Sequence, residues 1–281
     1  MLVITMTSWP ERINYAKDTI SSCLEQTILP DRIYLNLSKE EFETIELPKD
    51  LLKLIDSDSR IILNWIEGPN TKPFKKIFPI LKYLEDDDFI INVDDDMVFP
   101  KGFIESRLLD FDKYHTCISG SAEKINGYAS GLLPEFRNRV GPATLYQKKM
   151  LKHWEDLLNN DIIATNHDDA FYDFLIYLNG YLPQTSSKYH CMECTRHIYT
   201  PALHGSIGCA NATQATIVNI ETFKLLYDCF PCLNYYKTNK EISIGRPITE
   251  LNPKVEYILK NTLKFTQKQP VIHKQINHDW W

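Results

Sequence analysis

No stretch of the chain approaches the roughly 20 consecutive apolar residues that a membrane-spanning helix requires, so the sequence predicts no such span. The opening residues, MLVITMTSWPER, carry neither a basic leader nor a long apolar run. That argues against a secretory signal. A disulfide framework is equally unsupported, because the 281 residues hold an odd number of cysteines, seven, the usage of reduced thiols. These absences together predict a cytoplasmic protein. Positive charge is also short: the formal net charge is −6 and the sequence pI about 5.8. The chain as a whole therefore offers no basic surface for wholesale nucleic-acid binding. No internal repeat, low-complexity tract or sharp linker divides it.

What is present is a globular composition. Hydrophobic residues make up 43% and charged residues 24% of a 32.8 kDa chain, enough length for a sizeable core. Short apolar strands alternate with helical patterns through the first half. Strands are predicted at Leu2–Met6, Arg32–Leu37, Arg60–Ile66, Phe89–Val93 and Thr116–Ser119. Helices are predicted at Asn14–Gln26 and Pro73–Leu84, and one starting at Phe103–Leu109. That order implies βαβ units: an α/β fold with a mixed, mainly parallel, Rossmann-like sheet covered by helices. The glycine-bearing stretch Glu123–Thr144 reads as a loop or irregular cleft lining. A further helix runs from Thr165-Asn166-His167 to about Leu178, with Phe171, Phe174, Leu175 and Leu178 as its apolar stripe. Glu221–Tyr227 and Pro253–Leu263 look helical. The chain is thus one domain over residues 1–235, followed by a basic, helical extension over 236–281.

Three polar loops fall at the carboxyl ends of predicted strands, the edge at which open α/β sheets bind ligands. The first is Thr5–Arg12. The second is NTKPFKK, whose Lys72, Lys75 and Lys76 enter a predicted helix; cations beside a helix N-terminus suit a diphosphate, while a basic helix face is the plain alternative. The third follows the apolar run FIINV and consists of Asp94, Asp95 and Asp96. Like charges 4–6 Å apart cost about 3–4 kcal/mol per pair at an effective dielectric near 20. Such a cluster is either fully solvated or neutralised by a cation. If the strand stays extended through it, Asp94 and Asp96 project to one side and converge on one ion. Hard carboxylate oxygens select Mg²⁺ or Mn²⁺, commonly shared with substrate phosphates. In NHDDAFYDFLIYLNG, Asp168 and Asp169 occupy a first helical turn. One carboxylate suffices to cap a helix; a second is available as a general base.

The segments VITMTSWPERI, QTILPDRIYLNLS, NTKPFKKIFPILKYLEDDDFIINVDDDMVFP, GPATLYQKKML and HDDAFYDFLIYLNG, in this order, resemble bacterial glycosyltransferases of the GT-A fold, more narrowly those of capsule and surface-polysaccharide clusters. The resemblance is best over residues 1–110, returns at 141–180 and fades beyond. It implies a nucleotide-sugar donor, a glycan or lipid-linked glycan acceptor, and transfer that is inverting if a carboxylate base acts. It also implies residue roles. Thr5, Thr7 and Arg12 line the nucleotide pocket, and Lys72 and Lys75 hold the nucleotide or diphosphate. Asp94 and Asp95 lie near the ribose, and Asp96, with Asp94, on the metal. Asp168 and Asp169 form the acceptor-side motif, with Asp169 as base. A histidine such as His204 would complete the metal set. After Tyr146 the sequence leaves the family pattern, which continues with prolines where this chain has Gln147, Lys148 and Lys149. A metal-dependent nucleotidyltransferase or phosphoesterase would use the same acidic cluster, and a non-catalytic nucleotide-sugar-binding protein would retain the pocket alone.

Two further features stand apart from this reading. Cys191 and Cys194, and Cys229 and Cys232, form two C-x-x-C pairs. Their separation exceeds the roughly 15–20 residues of the common zinc pattern, so structural Zn²⁺ and incidental thiols both remain readings. The basic stretch from Lys237 to Lys274 ends in INHDWW. Tryptophan favours membrane interfaces, so peripheral contact with the inner membrane competes with a solvated helix face and a docked tail.

Overall fold

The computed structural model describes residues 1–124, 136–139, 141–155, 168–179, 181, 183–189 and 195–196. The extension over 236–281, the helical readings at 221–227 and 253–263, His204, and the four cysteines of the C-x-x-C pairs lie outside the described residues. Among the described residues, no helix is long and apolar enough to cross a membrane.

Strands β1 (Leu2–Thr7), β2 (Arg32–Ser38), β3 (Ile61–Ile66) and β4 (Phe89–Asn92) run parallel. Helix α1 (Ile13–Leu24) connects β1 to β2, and α2 (Lys49–Ser57) connects β2 to β3. A two-residue strand, β5 (Met97–Val98), precedes α3 (Phe103–Tyr114) and β6 (Ile118–Ser119). β7 (Ser121–Lys124) and β8 (Phe136–Arg139) pair as an antiparallel ladder. β9 (Thr144–Gln147) then enters the main sheet antiparallel to both β4 and β6. Helix α4 (Asp168–Leu178), β10 (Gln184–Thr185) and β11 (Thr195–Arg196) complete the set, β11 lying antiparallel to β5. The seven-stranded sheet has the order β10-β6-β9-β4-β1-β2-β3. The fold is therefore a mixed, mainly parallel, Rossmann-like α/β sheet, as the alternating pattern predicts.

The core is built from the strands' continuous apolar runs, as expected where both faces are covered. Val3, Ile4, Met6, Ile33, Leu35, Leu37, Ile90 and Ile91 have no more than 0% exposure. On one side, Phe74, Phe78, Trp154, Phe171 and Tyr172 form an aromatic cluster, with Phe78 and Trp154 stacked at 4.3 Å between ring centroids. This cluster joins the segment before β4 to helix α4, so the two acidic motifs share one foundation.

Three local predictions are corrected. Pro73–Leu84 is not an α-helix but two 3₁₀ turns, Lys72–Lys76 and Phe78–Tyr83, broken at Ile77. Pro79 is the cause: it has no N–H to donate, and its ring collides with the carbonyl four residues back. Helix α2 is missing from the sequence reading although Leu51, Leu54 and Ile55 stand at helical spacing; Leu51 is buried and the other two pack against the core. The stretch Glu123–Thr144 holds strand pairing at both ends rather than loop alone.

Candidate active site

The sheet order reverses between β1 and β4. β2 and β3 extend from one side of β1, while β4 and β9 lie on the other. The crevice outside the carboxyl ends at such a reversal is where open α/β sheets bind ligands. Residues 8–12 and 93–96 leave those two strand ends. The acidic triplet is neutralised there by the chain's own cations. Arg12 Nη2 pairs with Oδ1 of Asp95 and, at 2.9 Å, with Oδ1 of Asp96. Ser8 Oγ donates to Asp95 Oδ2, and Thr19 Oγ1 donates to the Asp95 carbonyl at 2.9 Å. Burial pushes the Asp95 carboxyl up to about 7; Arg12 and Ser8 oppose the rise, and the charges of Asp94 and Asp96 add to it.

Asp94 turns the other way. Its Oδ1 accepts a hydrogen bond from Lys76 Nζ at 2.7 Å, and the same ammonium reaches Asp168 Oδ2 at 3.1 Å. Lys76 therefore bridges the end of β4 to the first turn of α4. Its side chain is 8% exposed. Burial alone would pull the ammonium down, but Asp168, Asp94 and Asp169 outweigh it and hold the proton well above the ordinary lysine value. Burial pushes the Asp168 carboxyl up, with Lys76 opposing and Asp169 and Asp94 adding to the rise. One turn along α4, Tyr172 is fully buried; burial and the neighbouring Asp168 and Asp169 keep its hydroxyl protonated.

A buried polar ladder fixes the lysine. Thr5 Oγ1 donates to the Lys76 carbonyl. Asn36 Nδ2 donates to Thr5 Oγ1 at 2.9 Å and to the Met6 carbonyl at 3.1 Å. Asn64 Nδ2 donates to Asn36 Oδ1 at 2.7 Å. Three adjacent strands thus present polar groups on one face to anchor a single turn. Each buried polar atom in such a ladder has to be satisfied, because an unpaired one costs about 1–3 kcal/mol.

Several sequence-based assignments change. Thr5 is wholly buried and serves as a strut under Lys76, not as a pocket wall. Thr7 is half-buried and donates to the Asn36 carbonyl at 2.7 Å. Lys75 is buried against Glu41, with which it is paired; burial pulls its ammonium below the ordinary value while Glu41 opposes. Lys72 is exposed. The structure gathers neither Lys72 nor Lys75 at the triplet, and a 3₁₀ turn of five residues offers no α-helical N-terminus for a diphosphate. The alternation expected of Asp94 to Asp96 also fails. The strand ends at Asn92 and residues 95–96 turn, so Asp95 and Asp96 share Arg12 while Asp94 faces Lys76. Ser8 and Gly141 fall within the stretches read as pocket and cleft lining without being singled out, and Lys76, read with Lys72 and Lys75 as a cation for a diphosphate, is instead the counter-ion of two carboxylates.

The donor set of Asp94 and Asp96 suits a hard cation in its chemistry. Mg²⁺ and Mn²⁺ accept one or two carboxylates together with water and substrate phosphate oxygens. Among the described residues, no three His, Cys, Asp or Glu side chains converge on one point. As placed here, Asp96 pairs with Arg12 and Asp94 with Lys76, so the two carboxylates do not converge on a single ion.

No protein-family model matches the chain, and no curated protein matches it. Among solved structures, S. aureus TarS in complex with UDP is similar at a TM-score of 0.47 and 13% identity, over 98% of this chain and 94% of that one. TarS with UDP-GlcNAc gives 0.44 and 13%, over 95% and 89%. Francisella tularensis 2-C-methyl-D-erythritol 4-phosphate cytidylyltransferase gives 0.46 and 12%, over 75% and 98%. The chain spans 58% and 52% of two other TarS chains that it matches. Likeness at this level leaves the chemistry of the site to be argued from the chain's own residues.

Proposed function

We propose that this chain is a glycosyltransferase that moves a sugar from a nucleotide-sugar donor to a hydroxyl of a glycan acceptor, with inversion. The observation that carries the reading is the Lys76 bridge. It joins Asp94, at the sheet's switch point, to Asp168 of the second acidic motif through one ammonium, which supports reading the first as donor-side and the second as acceptor-side. A second acidic motif beside the first supplies the base that attack by a sugar hydroxyl needs; phosphoryl transfer would use it instead to hold a second metal ion, and the product distinguishes the two. Asp94 or Asp96, which face different resident cations, would hold a divalent cation through one carboxylate, and that ion when bound would neutralise charge on a departing diphosphate. Asp169 takes the acceptor proton. Arg12 keeps Asp95 and Asp96 in place. The resemblance to capsule and surface-polysaccharide enzymes supports a surface glycan, or its lipid-linked precursor, as acceptor.

The expected result is release of a nucleoside diphosphate from one member of a panel of UDP-, GDP-, CMP- and dTDP-sugars, nucleoside monophosphate in the CMP case. EDTA should lower that rate at least about a hundredfold, of the order seen when one electrostatic stabiliser of a transition state is removed, and Mn²⁺ should restore it. A donor at about 100 times its Kd should also stabilise the fold by about 2.7 kcal/mol, visible as a rise in Tm. Release of sugar 1-phosphate from these donors, or of pyrophosphate from a nucleoside triphosphate offered in their place, would replace this reading with nucleotidyl transfer. Donor binding without any turnover would leave a binding protein.

A further inference from the structure

The proposed base has a neighbour with no side chain. A β-carbon built on Gly141 would lie 3.1 Å from both carboxylate oxygens of Asp169 and 3.2 Å from its Cγ. Those distances are well inside ordinary van der Waals contact, so the Asp169 carboxylate occupies the space that a side chain at 141 would need. The demand for glycine here is one of space. The loop that carries Gly141 is held from the opposite side. Arg107, fully buried on α3, donates from Nε to the Ala143 carbonyl at 2.9 Å, and its two Nη atoms donate to the carbonyls of Lys188 and Tyr189 at 2.9 and 2.8 Å. Ala143 is held at a φ of +66°, a left-handed conformation that a non-glycine residue adopts only under constraint. The Ala143 amide donates to the Asn92 carbonyl at 2.8 Å, which ties the loop to the end of β4. The loop is thus pinned from α3 and from the sheet, and the carboxylate is the movable end of the contact.

We infer that Gly141 is a positioning residue for Asp169: its bare backbone, pinned through Ala143 by Arg107, forms the seat that sets where the base points. The inference rests on the glycosyltransfer reading and specifies how its base is aimed. Lys76 hydrogen-bonds the adjacent carboxylate, Asp168, whereas the space beside the Asp169 carboxylate is bounded by Gly141. A methyl group at 141 pushes the Asp169 carboxylate off the seat by a few tenths of an ångström or into another rotamer, while the backbone keeps its supports.

The test compares wild type, Gly141→Ala, Asp169→Asn and the double variant, each at full length. The readout is nucleoside phosphate release from the UDP-, GDP-, CMP- and dTDP-sugar panel, with water and then glycan as acceptor. Gly141→Ala is expected to lower kcat at least about tenfold, since misplacement near 1 Å can cost a hundredfold. Donor KM should stay within about threefold, because the seat faces the acceptor side. In the Asp169→Asn background the same alanine should change the residual rate less than twofold. That silence is what a merely structural role would not produce. Inactivity of Asp169→Asn together with a wild-type kcat for Gly141→Ala overturns the inference alone. So does an equal loss from the alanine in both backgrounds. Full activity of Asp169→Asn, or a wild type inert on every donor, overturns the reading beneath it.

Discussion

Replacing Lys76 with methionine is expected to cost about 3–5 kcal/mol of folding stability, the range for removing one partner of a buried ion pair. Methionine keeps much of the length and the apolar stem, so the loss is one of charge more than of volume. Asp94 and Asp168 both lose the ammonium that serves them at 2.7 and 3.1 Å. Asp168, whose carboxyl burial already pushes up, relieves part of the strain by taking a proton. The sign of the pH dependence follows. A carboxyl raised in the folded state contributes stability below its ordinary value near 4 and loses it as pH rises through the folded value. The deficit of Lys76→Met should therefore shrink towards pH 4 and widen towards pH 8. Urea unfolding across that range measures it. Adding Asp168→Asn should return at least about 1 kcal/mol, because an amide in that position needs no counter-ion. A single-variant loss below about 1 kcal/mol would mean that Lys76 is not the counter-ion of the site.

The same lysine explains why the two acidic motifs do not act as separate parts. Its backbone carbonyl is held by Thr5 and its ammonium by Asp94 and Asp168. The first, fourth and last elements of the site therefore meet at one residue. Any shift of the 3₁₀ turn is felt by Asp94 and Asp168 together. Arg12 does comparable work for Asp95 and Asp96 alone. The triplet, which looked in sequence like a demand for one foreign ion, is served by two resident cations on different sides. Under the proposed function, a divalent ion arriving with phosphate would have to compete with them for the carboxylates.

The parallel half of the sheet was readable because each strand is a short apolar run closed by a breaker, as with Pro30 before β2 and Gly68-Pro69 after β3. Local patterning carries that information, and so the placement of the acidic triplet at a strand end was also readable. The side to which each aspartate turns was not. Period-two reasoning holds only while the backbone is extended, and extension stops at Asn92. β9 was hidden for a related reason: Thr144, Leu145, Tyr146 and Gln147 are all buried between β4 and β6, so the strand shows no alternation. The contacts that organise the site are long-range. Lys76 and Asp168 are 92 residues apart, and Gly141 meets Asp169 only after the sheet has closed. No local spacing encodes such pairs. The two lysines expected to bind donor, Lys72 and Lys75, illustrate the cost: one faces solvent and the other is tied to Glu41.

Asp169→Asn is expected to lower kcat by about 10²–10⁴-fold, the usual contribution of a positioned general base. Donor KM should stay within a few-fold. The amide matches the carboxylate in shape, so it occupies the same seat on Gly141, yet it cannot take the proton of an attacking hydroxyl. Folding should suffer little. Asp169 lies in the first turn of α4, where a negative charge gains about 0.3–1 kcal/mol from the helix dipole, and that sets the size of the stability loss. Asp168→Asn makes the opposite exchange. It strips Lys76 of the partner at 3.1 Å and leaves a buried ammonium with Asp94 as its remaining hydrogen-bonded carboxylate, so its deficit appears first in unfolding. The two neighbours are separable by measuring both quantities on both variants. Stability should fall further for Asp168→Asn, and turnover at a temperature where both are folded should fall further for Asp169→Asn. If the ranking reverses for turnover, the proton goes to Asp168, and the ammonium of Lys76 is then the group that tunes the base and not one that merely holds its neighbour aside.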